Sequence, residues 1–452
     1  ILYIPNAADS GFPNGLMPAL IPLAIGLAWI FPVEMALIFV AFTMFRLHEA
    51  YPFLEPARLP ILTAQVAILG AALHMAARNT VMPWQPELKI CLLFGAHVTL
   101  GLVFSVDRAS SMDLWTSNFG KLLAGTLFLA MLLKLPRDAT RVALILIISS
   151  ALISCVAIYN QLNGIDLVEG SRVTIGAEAK SLLGDPNDLC FVLMFPVAFA
   201  LCGISVRGMP PMVRWICIVA LPLMVWAIIA TKSRGGVLAT MVVVGYIYST
   251  LRKTKVMPLV IAGACGGLLY SVAGIGDRGL VYNQNEVIDA SSQGRVEAWK
   301  AAVRMAFVYA LFGVGMGNFT ALYREYSTFW DGRVYATHSI WFQVLAETGF
   351  VGLGLFVAMF VVAMRSASRS YHVLTEHDAP APVRALSLAV TASWGGVCVA
   401  GSFLSQAYSW QIFLLVALTA ALSQHVQDTY KSSAGAKPGE STTKPATAEQ
   451  VA

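Results

Sequence analysis

The chain has 452 residues, of which 57% are hydrophobic and 12% charged, with a mean hydropathy of +0.70 and a formal net charge of +5. A soluble domain carries roughly 25% charged residues, so the composition argues against a water-soluble globule and for bilayer hydrocarbon as the solvent. The positive charge does not indicate nucleic acid, because Lys and Arg gather in short loops between apolar runs.

Those runs fall at 15–31, 33–46, 59–77, 88–106, 118–134, 141–160, 188–206, 212–231, 235–251, 256–275, 340–365, 384–403 and 408–424. A helical span needs about 20 mostly apolar residues, and most of these meet or approach that length. They are continuously apolar rather than alternating, which indicates helices and not a barrel. The first two runs are short and carry Pro18, Pro22 and Pro32, so they read as one span plus a re-entrant piece, or as two spans. The fold class is therefore all-α, a polytopic membrane bundle of about 12 transmembrane helices, or 13.

Basic loops and poor loops alternate along the chain. Lys134, Arg137 and Arg141, then Arg207 and Arg214, then Arg252, Lys253 and Lys255, then Arg365, Arg369 and Arg384 mark the cytoplasmic loops. The loops near 161–187, 231–234, 276–338 and 404–408 then face outward. The longest of these, 276–338, carries Tyr282, Trp299, Tyr323, Tyr326, Phe329, Trp330 and Tyr335, an aromatic content that predicts a folded cap. Within it, Arg295 to Phe312 has apolar residues at helical spacing, as in an amphipathic helix at the membrane interface. The expected units are a first bundle part at 1–275, the cap at 276–338, a second bundle part at 339–424 and a disordered tail at 425–452.

Among the seven histidines, His338 differs by position, ending the outward loop just as an apolar run begins. A neutral imidazole there suits a general base, although a boundary histidine bonded to a headgroup or carbonyl has the same position. His74 and His97 lie inside apolar runs and read as packed, hydrogen-bonded residues. ThrLysSerArgGlyGly at 231–236 puts Lys232 and Arg234 in a short outward turn, against the orientation rule. A guanidinium and glycine amides suit a diphosphate, while snorkelling to headgroups is the plainer account.

Arg295 is expected in the first turn of the amphipathic helix, where the helix dipole disfavours a cation unless an anion is near. AspProAsnAsp at 185–188 makes a helix N-terminus, with Asp185 or Asn187 as cap and substrate contact as the lesser reading. GlyValGlyMetGlyAsnPhe at 313–319 has no preceding strand and no following Lys-Ser or Lys-Thr, so it reads as a tight turn and not as a nucleotide loop. Glu347, nine residues after His338, falls on the opposite helix face. Neither an HExxH nor paired outward carboxylates at metal spacing occur, and the seven cysteines form no CxxC pair, so no metal and no cofactor is expected.

The order of these elements resembles the O-antigen ligase family, whose superfamily also holds O-antigen polymerases and bacterial protein O-oligosaccharyltransferases. The resemblance covers most of 140–425 and rests on AspProAsnAsp at 185–188, SerArgGlyGly at 233–236, GlyArg before Trp299, the 313–319 glycines, and His338 leading to GluThrGly at 347–349. Ser339 stands where the family often has Asn, and the N-terminal third carries no matching motif.

The resemblance implies a glycosyltransferase of the bacterial inner membrane, its site facing the periplasm. It would transfer a polysaccharide from undecaprenyl pyrophosphate to a sugar of lipid A-core without ATP or metal, inverting the anomeric centre. His338 would be the base and Arg234, Arg295 and Lys232 the pyrophosphate ligands. Arg234 and His338 are expected to reach one cavity under the cap, on the order of 10–15 Å apart. A polymerase with a second lipid-linked glycan as acceptor and a protein oligosaccharyltransferase are the near alternatives. A secondary transporter is the distant one, disfavoured because the charged motifs lie at helix ends and not at the bilayer midplane.

Overall fold

The computed structural model describes residues 29–51, 82–176, 181–252, 290–328 and 332–431, together with residues 26, 27 and 330 and parts of 63–77. Several helices begin on proline, whose fixed φ suits the first turn and whose missing N–H would lack a helical partner there anyway. These are α1 (Pro32–Met44), α2 (Pro86–Phe104) and, further on, α6 (Pro186–Ser205) and α7 (Pro211–Ala230). Between them lie α3 (Arg108–Leu114), which runs through a π-helical turn at Trp115–Phe119 into α4 (Gly120–Leu132), and α5 (Ala139–Asn163). Then follow α8 (Arg234–Arg252), α9 (Ala290–Val308), α10 (Phe319–Tyr326), α11 (Ile340–Glu376), α12 (Ala381–Gly401) and α13 (Trp410–Val426).

Seven of these, α2, α5, α6, α7, α8, α11 and α12, are long and apolar enough to cross a bilayer, so the chain is a multi-pass helical membrane protein. The candidate at 256–275, most of those at 15–31 and 59–77, and His74 lie outside the described residues. The apolar core is continuous through the bundle, and α6 and α12 are largely enclosed by their neighbours. Small residues let helices close on one another: a Cβ at Gly236 would lie 2.2 Å from Cys190 Sγ on α6.

Two expectations are corrected. Arg295 is not in the first turn of its helix, because the helix already runs from Ala290 and Arg295 sits in the second turn, where the dipole acts more weakly. The chain past residue 424 is not immediately a tail, since α13 reaches Val426 and a π-helical turn continues over Gln427–Lys431.

The described part of the excursion is folded. Ala298, Ala301, Ala302 and Met305 of α9 are fully buried against Val314, Phe319 and Tyr323, and this small core meets α11 at Ala346. The glycines at 313–317 make the junction. Gly313, Gly315 and Gly317 all have positive φ, and the Val314 and Gly315 amides donate to the Ala346 and Glu347 carbonyls at 2.9 and 3.1 Å. These carbonyls are free because α11 breaks at Gly349, whose φ of 72° and ψ of −172° are not helical. The returned bond, from the Phe350 amide to the Ala310 carbonyl at 2.9 Å, closes the joint. Nearby His97 takes the packed role expected of it, with Nε2 2.9 Å from the Thr348 carbonyl and its ring stacked on Phe312.

Candidate functional site

The candidate residues collect at one end of the bundle, where α6, α8, α11 and α13 begin and α7 and α12 end. Asp185 caps α6, its carboxylate accepting from the Asn187 and Asp188 amides, and thereby fixes the chain direction at AspProAsnAsp. Asn187 has a different task from capping. Its Oδ1 accepts from Ser233 Oγ at 2.8 Å and from Arg172 Nη2 at 2.9 Å, tying the α6 start to the SerArgGlyGly segment.

The 161–187 loop supplies Arg172. A hairpin pairs Leu167–Val168 with Arg172–Val173, turning through Glu169 and Gly170 at positive φ. Arg172 is 8% exposed, and its Nε donates to the Thr231 carbonyl at the C-terminus of α7. That carbonyl is one of the acceptors a helix end leaves free, and it is favoured by a cation.

Between α7 and α8 the turn is Thr231 to Ser233, with Lys232 at a φ of 49°. Arg234 is therefore the first residue of α8 and not part of the turn. The conflict between a cation and a helix N-terminus that the sequence located at Arg295 falls instead on Arg234. Its Nε is buried with no hydrogen-bond partner among the described residues. Such an orphan donor beside helix N-terminal amides is the arrangement an oxyanion satisfies.

His338 also has a left-handed backbone, with φ of 43°. The strain is held by the loop after α12: the His338 amide donates to Ser405 Oγ at 2.8 Å, and Ser405 Oγ lies 3.0 Å from Thr337 Oγ1. From the cap side, Trp299 Nε1 donates to the Thr337 carbonyl at 2.8 Å and its ring stacks on Phe342. Gln343 Oε1 accepts from the Ala407 amide at 3.1 Å. Burial holds the His338 imidazole below its ordinary pKa, the Arg295 charge lowers it further, and Asp185 opposes them. The ring is therefore neutral at neutral pH, with Arg295 and Asp185 both close enough to act on it.

His338, Arg295 and Asp185 thus come together. Arg234 and Lys232 share their end of the bundle through Asn187 and through Gly235, where a Cβ would meet the Phe403 ring at 3.0 Å. A cavity of about 440 Å³ lies at the same end. It is lined by Asp188 and Ser405 but not by His338 or Arg234. Sequence reasoning missed Arg172, Arg46, Asp188 and Ser405. Arg172 had the signal of a cation in an outward segment; Arg46 and Ser405 had none.

No curated protein matches the chain. A family model described as O-antigen ligase matches residues 219–357, a stretch that contains Lys232, Arg234, Arg295 and His338, with Asp185 and Asn187 preceding it. The family's members transfer glycosyl groups. The chain is a multi-pass membrane protein in which residues 219–357 match the model of the O-antigen ligase family.

Proposed function

We propose that the chain is an O-antigen ligase that transfers a glycan from undecaprenyl pyrophosphate to a sugar hydroxyl of lipid A-core at the periplasmic face of the bacterial inner membrane. The observation that carries this reading is a neutral, backbone-strained His338 under the charges of Arg295 and Asp185, at the same end of the bundle as the orphan guanidinium nitrogen of Arg234.

His338 takes the proton of the acceptor hydroxyl as that oxygen attacks the anomeric carbon. Negative charge meanwhile builds on the departing pyrophosphate, where Arg234, Lys232 and Arg295 stabilise it together with the N-terminal amides of α8. A diphosphate is a good leaving group, so cationic side chains suffice in place of a metal. Attack opposite the leaving group inverts the anomeric carbon. Asn187 acts through the Ser233 turn that it holds in place, and Asp185 through the α6 cap and through the charge it sets beside His338.

The test is reconstitution. Purified protein in detergent receives the lipid-pyrophosphate glycan and lipid A-core, with a chelator present and no ion gradient. Glycan joined to lipid A-core is the expected product. Product only with a second lipid-linked glycan indicates a polymerase, product only on protein Ser or Thr an oligosaccharyltransferase, and no product on any acceptor overturns the transferase reading.

A further inference from the structure

We propose that the cavity of about 440 Å³ beside Ser405 is a sugar-binding subsite, holding a neutral ring of the glycan handled at His338. This rests on the transferase reading above and adds to it a place for the sugar. The volume lies in the roughly 300–1,000 Å³ range of small-molecule sites.

The lining chemistry selects the ligand. Ser117, Asn118, Asp188, Gln406 and Ser409 bring hydroxyl, amide and carboxylate groups to the lining, and Trp410 is among the same residues. Mixed donors and acceptors match ring hydroxyls, each of which both donates and accepts. An aromatic face suits the apolar C–H surface of a sugar.

Among the described residues the lining holds one cation, against the three that the reading above assigns to the diphosphate. That cation is Arg46, whose Nη2 is ion-paired with Glu49 at 2.7 Å and whose Nε is a buried donor with no partner among the described residues, open to a ring hydroxyl. Glu49 is itself held by Ser181 Oγ. The Asp188 carboxylate lies against the Gln406 side chain, which is a pairing that a polyol can share.

The wall is also built, not incidental. The π-helical turn Trp115–Phe119 turns Ser117 and Asn118 into the cavity, and such turns are frequent at functional sites. Asn118 Nδ2 donates to the Tyr408 carbonyl at 3.0 Å, fixing the 405–411 segment from one side, as Gln343 does from the other. In that segment Ser409 is 8% exposed, and its Oγ is buried without a hydrogen-bond partner among the described residues. A buried hydroxyl in a cavity wall with no partner is a group that a ligand satisfies. The cavity meets the candidate base through one residue, since Ser405 both lines it and accepts the His338 amide. The N-terminal third enters here too, through Thr43, Met44 and Arg46.

A sugar can come from the donor glycan or from the acceptor, and the experiment separates them. Full-length protein carrying His338→Ala, so that nothing turns over, is placed in nanodiscs. Three probes are titrated: undecaprenyl pyrophosphate bearing its glycan, undecaprenyl pyrophosphate without sugar, and the oligosaccharide released from lipid A-core by mild acid. Ser117→Trp fills the cavity and Gln406→Ala removes one amide. Each variant is expected to weaken one sugar-bearing probe about tenfold or more while leaving the sugar-free carrier within about twofold.

Loss confined to the lipid-linked glycan assigns the cavity to the donor, and loss confined to the released oligosaccharide assigns it to the acceptor. Unchanged affinity for both sugar probes overturns the proposal, as does parallel weakening of the sugar-free carrier. Failure of the transferase reading looks different: wild-type protein then forms no product on any acceptor, whether or not these variants change sugar binding.

Discussion

The backbone amide of His338 donates to the side-chain oxygen of Ser405 at 2.8 Å, across 67 residues of sequence, and His338 holds a left-handed φ of 43° in doing so. A non-glycine residue in that region costs free energy unless its surroundings impose it. Ser405 is the group that imposes it here. Ser405→Ala is therefore expected to release the His338 backbone while leaving both ionisable side chains of the pair His338 and Arg295 in the protein. One neutral hydrogen bond contributes about 0.5–1.5 kcal/mol, so turnover should fall by up to about tenfold. The drop should appear in kcat with little change in donor affinity, and Ser405→Thr, which keeps the hydroxyl, should recover it.

Arg234→Lys is expected to be a severe change despite keeping the charge. An ammonium cannot reproduce the planar two-pronged contact of a guanidinium with phosphate oxygens, and charged hydrogen bonds contribute about 1.5–3 kcal/mol each. Donor affinity measured on the purified variant should fall by about tenfold or more. Wild-type affinity in the Lys variant would show that charge alone, or nothing, is needed at that position.

The pH profile gives a test with opposite signs. Protonated His338 cannot accept the acceptor's proton, so the acid limb of kcat/KM follows its pKa, which burial and Arg295 hold low and Asp185 raises. Arg295→Gln removes a lowering charge and should move the acid limb to higher pH. Asp185→Asn removes the raising charge and should move it to lower pH, while asparagine keeps the cap on α6. Shifts of the same sign in the two variants would remove His338 as the titrating group.

Gly349→Ala tests the joint between cap and bundle. Gly349 has a φ of 72°, and a Cβ there would lie 2.5 Å from the Ala310 carbonyl oxygen. Left-handed strain costs about 1–3 kcal/mol, and the backbone contact cannot move aside as a flexible side chain would. A lower melting temperature in detergent is expected, with Gly354→Ala, which meets open space, as the control.

The helical bundle was legible because apolar run length is a local property: α5, α6 and α7 match the runs at 141–160, 188–206 and 212–231 to within a few residues. Asp185 was legible for the same reason, since an N-cap signal lies within four residues. Arg234 was recognised by its charge in an outward segment, yet its position as the first residue of α8 was not, because Ser233 and the two glycines read equally well as turn. What the sequence could not supply was partnership across distance. Nothing near Asn187 announces that it will bond Ser233 and Arg172, and nothing near Ser405 announces His338. Arg46 reaches the same end of the bundle from the N-terminal third only because α1 ends there, a fact of helix packing and not of any motif.

The account turns on His338 acting as the base, and a paired measurement on His338→Ala tests that most directly. Binding of the undecaprenyl-pyrophosphate glycan and its transfer to lipid A-core are measured on the same purified variant. The variant should insert and fold normally, because His338 is only half-buried and precedes α11 rather than packing within it. Turnover should fall by about 10²–10⁴-fold, the usual contribution of a positioned general base, while donor affinity stays near wild type because Arg234 and Arg295 remain. Undiminished turnover would contradict the account, and loss of donor binding together with transfer would move His338 from catalysis to the donor site.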